Sequence, residues 1–447
     1  MNMALKAAVC EANITPAVGV WLAGFAGRSS GCIGIHDELH ARALVLDDGL
    51  SLACIVSMDL IALDFDLVDI IRDGVHRKVG IPPERLLLNC SHTHGGPVTR
   101  TFRTMGERDE LYCNIMARKL VGAVQQAADM LEPVSLRWGR AAVQIGINRR
   151  ERRDGKTVIG QNPKGFVQPY VDVLRVDRED GNPLAVLFAY ATHPVVLGGQ
   201  NLWVTADYPG AACDFLCRVG TGTPMFLQGC AGNINPVHTG TTFAHARKLG
   251  EILGAAVVIA SHLSDPVEGV PVSGGLRTVQ IPYVFPPLEE AEQHLRQAEE
   301  DLQRAEEEGA PLGVLMWRRD MVKWAQDLLL AVEKQEPRTM PFEIQHLRLG
   351  DVHLLAFPAE MFVQYALDFD RQSPHKPTIT LGYTNGCWGY IPTAADYAIG
   401  GYEVDMAYRY YGTLMVSSDC ERMIREEVYA MLDVSDPNWT PYETSAG

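Results

Sequence analysis

Apolar residues along this chain switch between a period of two and a period near three and a half, and the switches mark its elements. Leu39–Leu46 and Leu52–Leu60 are β-rich runs joined through Asp47-Asp48-Gly49, a hairpin turn signal. Asp64–Val79 has helical spacing, and Pro82-Pro83 breaks the chain before a strand at Leu86–Cys90. Leu111–Leu131 reads as a long amphipathic helix. Val171–Val176 and Leu184–Tyr190 flank Asp180-Gly181-Asn182, a second hairpin. Asp207–Val219 and Phe243–Leu263 read as helices around a strand at Met225–Leu227. Hairpins mixed with crossover helices predict an α/β protein with mixed sheets, not a purely parallel one.

One segment departs from this rhythm. After Pro286-Pro287, Leu288, Ala291, Leu295, Ala298, Leu302 and Ala305 recur at steps of three and four, with charged and polar residues between them. Gly309 and Pro311 stop the run, and a second helical stretch covers Leu312–Val332. The pattern predicts an αα-hairpin inserted over 285–336, packed on its own domain. Strand pairing resumes with Phe342–Leu349 and Val352–Phe357 across Gly350-Asp351. The expected architecture is one large catalytic domain, 1–432, with flanking helices and that insertion, followed by a tail at 433–447.

Composition narrows the function classes. The chain has 447 residues, 47% hydrophobic and 21% charged, enough to bury a large core. With 39 Lys and Arg against 55 Asp and Glu, its net charge of −16 disfavours a nucleic-acid partner held by counterion release. No apolar stretch approaches the roughly 20 residues of a membrane-spanning helix. Met1–Lys6 leads straight into a strand-like run, with no export signal, which predicts a cytoplasmic protein, or an exported one if a signal has been removed. The ten cysteines are scattered without a CxxC pair, so neither a zinc ribbon nor a disulfide framework is expected. Cys213 and Cys217, four apart in a helix, read as buried small hydrophobes. Nothing in the sequence decides whether the chain forms a homo-oligomer.

Candidate chemistry gathers at strand ends. Cys90-Ser91-His92-Thr93-His94-Gly95-Gly96-Pro97 follows an apolar strand into a Gly/Pro loop, so His92 and His94 can enter one cleft. His193 ends the strand Leu184–Tyr190, where Pro194 discourages continuation. Each of these histidines reads equally as a metal ligand or a hydrogen-bonded loop residue. Glu360, after Pro358-Ala359, is expected to open a helix, where an acid also complements the helix dipole. Gly382–Thr393, with Tyr397 and Tyr402-Glu403 beyond it, is a glycine- and tyrosine-rich loop region. Gly27-Arg28-Ser29-Ser30-Gly31 matches G-x-S-x-G but lacks the strand and helix of a nucleophile elbow.

Taken in order, these residues resemble the neutral (non-lysosomal) ceramidase family. The resemblance runs through Asn13-Ile14-Thr15-Pro16, Gly24-Phe25, Gly34-Ile35-His36 with Arg42, and the His92–Pro97 loop. It continues through Asn148-Arg149, Ala191-Thr192-His193, Ala206-Asp207 and Pro358–Glu360 to the block from Tyr390 to Tyr402-Glu403. It implies a zinc (Zn2+) hydrolase that cleaves an amide with zinc-activated water, the metal held by His92, His193, Glu360 and Tyr390. It also implies catalytic or substrate-contacting roles for His94, Arg149 and Tyr402. The family's His-Thr-His-Ser becomes His-Thr-His-Gly here, and its Gly-Asp-Val-Ser-Pro-Asn stretch becomes Gly232-Asn233-Ile234-Asn235-Pro236. About 45 residues follow Tyr402, too few for the family's immunoglobulin-like C-terminal domain. The substrate class therefore stays open between a lipid amide and a soluble polar molecule such as a sugar derivative or small acylated compound. A third reading keeps the fold as a non-catalytic binding module.

Overall fold

The structure is a computed structural model and describes residues 5–268 and 271–437. The tail expected from 433 is therefore seen only to residue 437; residues 438–447 lie outside the described ones. A nine-stranded sheet runs in the order Thr223–Gln228, Pro183–Tyr190, Tyr170–Arg178, Glu132–Ala142, Lys6–Asn13, His40–Asp47, Leu52–Met58 and Leu86–Cys90, with Asp265–Pro266 paired beside Glu132–Ala142. The pairs at its two ends are parallel, and the pairs between them are antiparallel. Four strands, Val272–Pro282, Thr339–Leu349, Val352–Ala356 and Thr378–Leu381, form a second sheet.

Side-chain alternation along each strand builds the layers. Leu44, Leu46 and Ile55 of the large sheet pack against Leu347, Leu349 and Leu354 of the second sheet. Their alternates Ala43, Val45, Cys54 and Val56 face the helices Phe65–Val79 and Glu110–Asp129. Further along that face, Val173, Val186 and Phe188 pack with the helices Asp207–Val219 and Phe243–His262. The outer face of the second sheet is covered by Leu312–Lys334, Val363–Gln372 and Cys420–Met431. The result is a four-layer α/β/β/α protein, so the expectation of mixed sheets with flanking helices holds. The helical hairpin is present as Leu288–Glu307 and Leu312–Lys334.

The large sheet also curls until its two edges meet. Asn89, on one edge strand, accepts the backbone N–H of Gln228 on the other at 2.8 Å, and its amide donates to Gly382 O at 2.9 Å. Both edge pairs are parallel and run out toward the same seam. That brings the chain after Cys90, after Tyr190 and after Gln228 to one place, where open α/β sheets put ligands.

Two local expectations need correcting. Glu360 does not open a helix. It forms a two-residue strand with Met361, paired in parallel with Tyr390–Ile391, and the helix starts only at Val363. Cys213 is buried as expected, but Cys217 is exposed.

Candidate metal centre

The strand ends deliver the histidines through backbone devices. His92 takes a left-handed φ of +66°, which turns its ring out of the strand direction and into the seam. Gln228 ties the two histidine loops together: its Nε2 donates to Ser91 O at 3.0 Å and Thr192 O at 2.8 Å, the carbonyls just before His92 and His193. Gly24 leaves room for His94, because a Cβ there would stand 2.3 Å from the imidazole, and Phe25 meets the ring edge-on at 4.8 Å. A side chain at Gly95 would collide with Thr205 at 2.4 Å, so packing accounts for the glycine that departs from the family's serine.

Tautomers follow from the partners. His92 Nδ1 lies 2.9 Å from Ile61 O, and His193 Nδ1 lies 2.8 Å from Ala231 O. Carbonyl oxygens only accept, so both Nδ1 atoms carry the proton and both Nε2 atoms present lone pairs. Those lone pairs converge on Glu360, whose Oε2 is 3.3 Å from His92 Nε2 and 3.0 Å from His193 Nε2. His94 Nε2 comes within 3.3 Å of His92 Nε2, and its Nδ1 is buried without a hydrogen-bond partner.

Acceptor facing acceptor is unfavourable unless a cation sits among them. Nitrogen and oxygen ligands about 2.0–2.1 Å from a tetrahedral ion stand about 3.3 Å from one another, which is the spacing found here. His92, His94 and His193 also offer ligand atoms that all lie within 4.8 Å of one another. The donor set fits a bound metal ion.

Electrostatics agree with that reading. Burial pushes His94 well below its ordinary range and, with Arg149 nearby, takes His193 down to about 4, so both rings are neutral at pH 7. Two phenols fix the Glu360 carboxylate: Tyr411 donates to Oε1, and Tyr383 to Oε2 at 3.3 Å.

The remaining expected residues surround this centre. The short parallel pairing sets Tyr390 directly beside Glu360, and the Arg149 guanidinium lies 5.2 Å from the Tyr390 ring centroid. Arg149 is buried and charged. Its Nε donates to Glu403 at 2.8 Å, and its Nη1 approaches Asn235 Oδ1 and His193 Nε2, each at 3.3 Å. Its Nη2 has no partner. Tyr402 packs 5.8 Å from the Tyr390 ring and under Arg149. All seven candidates thus gather in one place. His94, Arg149, His193, Tyr390 and Tyr402 line a cleft of about 420 Å³, together with Asn235, Thr239 and apolar Phe25, Met105 and Ile159.

Sequence reasoning missed Tyr411 and Gln228. Tyr411 sits in the run Tyr408-Arg409-Tyr410-Tyr411, where nothing local distinguishes it. Gln228 sits at the end of an apolar strand, and a glutamine in that place was the available signal.

Comparison with known proteins comes to the same place. Residues 6–223 match the family described as neutral/alkaline non-lysosomal ceramidase, N-terminal, a stretch that includes His92, His94, Arg149 and His193. Among solved structures, the neutral ceramidase from Pseudomonas aeruginosa matches 100% of this chain and 76% of its own length, with a TM-score of 0.72 and 20% identity. A ceramidase complexed with C2 matches 100% of this chain and 77% of its own, with a TM-score of 0.74 and 18% identity. At these identities the structural matches establish a shared fold. Residues 6–223 thus carry the sequence pattern of the neutral/alkaline non-lysosomal ceramidase family, and the chain as a whole shares the fold of the solved ceramidases.

Proposed function

We propose that this protein is a zinc-dependent amide hydrolase. The observation that carries this reading is the convergence of two proton-free imidazole nitrogens on the Glu360 carboxylate. His92, His193 and Glu360 would hold the zinc, with Tyr390, alongside Glu360, as the fourth ligand. An ion in that position supplies Lewis acidity to a carbonyl oxygen and lowers the pKa of water at its open coordination position to about 7.

The chain's own residues supply the rest. Arg149, fixed by Glu403, turns an unpartnered N–H group to the oxygen on which negative charge develops. Burial raises the Tyr402 phenol above its ordinary range, so it remains a donor to the same oxygen at neutral pH. His94 is kept neutral by burial and has one free nitrogen. It can take a proton from the attacking water and pass it to the leaving amine nitrogen.

Ceramide is one candidate substrate, by analogy with the relatives. A second reading keeps the same chemistry on a soluble N-acyl compound. It is supported by the cleft, whose 420 Å³ lies toward the lower end of the roughly 300–1,000 Å³ usual for small-molecule sites. Arg149, Asn235 and Thr239 give that cleft a polar side.

The test assays a fluorescent ceramide beside N-acyl amino acids and acylated sugars, with elemental analysis of the same preparation. One zinc per chain, lost together with turnover in Glu360→Ala, is expected. Full activity in a metal-free Glu360→Ala protein would overturn the metal reading. Turnover of ceramide alone would overturn the soluble-substrate reading.

A further inference from the structure

A cavity larger than the histidine cleft lies elsewhere in the described residues. About 990 Å³ of space lies between the Leu312–Lys334 helix of the inserted hairpin and the loop Tyr411–Leu414. Its floor is apolar and buried, made by Tyr283, Trp324, Leu328, Tyr411 and Leu414. Tyr411 also forms the partition from the candidate metal centre, because its hydroxyl donates to Glu360 on the far side.

The rim is charged and unevenly compensated. Arg100 is bound to Asp64, and Asp327 to Arg103. Lys334 and Arg338 are exposed, and among the described residues neither has a carboxylate within ion-pair distance; Arg338 reaches only the Gln335 carbonyl at 3.4 Å. Glu336 is the one acid left to face them, so the open rim carries a single excess positive charge. In the wall, the Trp388 indole N–H is buried without an acceptor. Buried donors are nearly always satisfied, and an oxygen-bearing ligand is one way to satisfy this one.

An apolar floor, a rim short of one negative charge and an unused donor describe the complement of one chemical class. We propose that this cavity binds a single-chain amphiphile with a carboxylate head. The chain lies over Trp324 and Leu328, and the head meets Lys334 and Arg338. The inserted hairpin, which has no part in the metal centre, thereby acquires a role as one wall of a second binding site.

Dodecanoate, titrated below its micelle concentration into the full chain, is the probe, followed by calorimetry and tryptophan fluorescence. Dodecyltrimethylammonium carries the same chain with the opposite charge. We expect one saturable dodecanoate site, at least tenfold weaker in Lys334→Glu/Arg338→Glu and at least tenfold weaker in Ala331→Trp, which fills the cavity from the helix. Melting temperature and metal content should be unchanged in the charge-reversal variant, whose two positions are exposed. No saturable binding, equal affinity for the cationic surfactant, or undiminished affinity in the charge-reversal variant would overturn the proposal.

Discussion

The protein contains two clusters of three histidines, and they are built on opposite principles. In the first, His92 and His193 spend their Nδ1 protons on backbone carbonyls and aim bare Nε2 atoms at Glu360. In the second, on the other sheet, His346 Nε2 and His353 Nδ1 face each other at 2.9 Å and share one proton between them. His375 stacks flat on His353, with ring centroids 4.1 Å apart. The second cluster therefore satisfies its own polar groups, whereas the first turns two proton-free nitrogens toward a carboxylate, an arrangement that a bound cation would satisfy. What distinguishes a metal centre from a histidine pile is thus the outer hydrogen bond that fixes the tautomer, together with a carboxylate in reach.

The largest effect should come from exchanging equivalent losses between the clusters. His193→Ala is expected to remove bound metal and reduce turnover by at least a thousandfold, whereas His353→Ala should leave both within twofold of the parent. Elemental analysis and a steady-state assay on the two variants read this directly. Metal lost equally from both proteins would mean that the contrast between the clusters is not the one described.

A smaller effect isolates the charge beside the first cluster. Arg149→Lys keeps a cation but loses the planar fork that spans Glu403 and Asn235 while offering a spare N–H. Loss of one donor to a developing oxyanion costs about 10²–10³ in kcat. Arg149→Lys should fall in that range with its metal retained and KM little changed. A change confined to KM would move Arg149 from catalysis to substrate binding.

Much of the framework, and half of the first cluster, could be read from the sequence. The helix Asp207–Val219 lies where its spacing predicts it, because its burial repeats with the helical period, and the strand Leu86–Cys90 lies where its apolar run predicts it and is buried throughout. His92 and His193 were legible as strand-end residues for the same reason. Glu360 was misread because its partner, Tyr390, is thirty residues away and the two-residue pairing leaves no periodic trace. Arg149 lies in the run Asn148-Arg149-Arg150-Glu151-Arg152-Arg153, which by composition is a solvated strand. Its burial depends on Glu403, and that of Arg150 on Glu403 and Asp396, acids about 250 residues distant that no local pattern reveals. Tyr411 is hidden for the same reason, since its partner is Glu360.

The smallest expected effect concerns pH. Burial, then neighbouring His375, His346 and Arg348, pushes His346 down to about 4 and His353 to about 3; Asp433 works weakly the other way on His346. Both folded values lie below the ordinary histidine value, so between about pH 4 and 6.5 the unfolded chain binds more protons than the folded one. Their contribution to stability is complete above about pH 6.5 and is lost as the pH falls through the folded values. Asp207 has the opposite slope. Burial raises it to about 7, so its stabilising contribution is present at low pH and lost as pH rises through 7. A melting curve of the parent alone mixes the two slopes, but subtracting a variant cancels Asp207. His353→Gln should lose less melting temperature than the parent between pH 7 and 5, by a few degrees at most for a chain of this size. If instead the two proteins fall in parallel, the second cluster is not held neutral by its burial, and the electrostatic half of the comparison fails while the metal half stands.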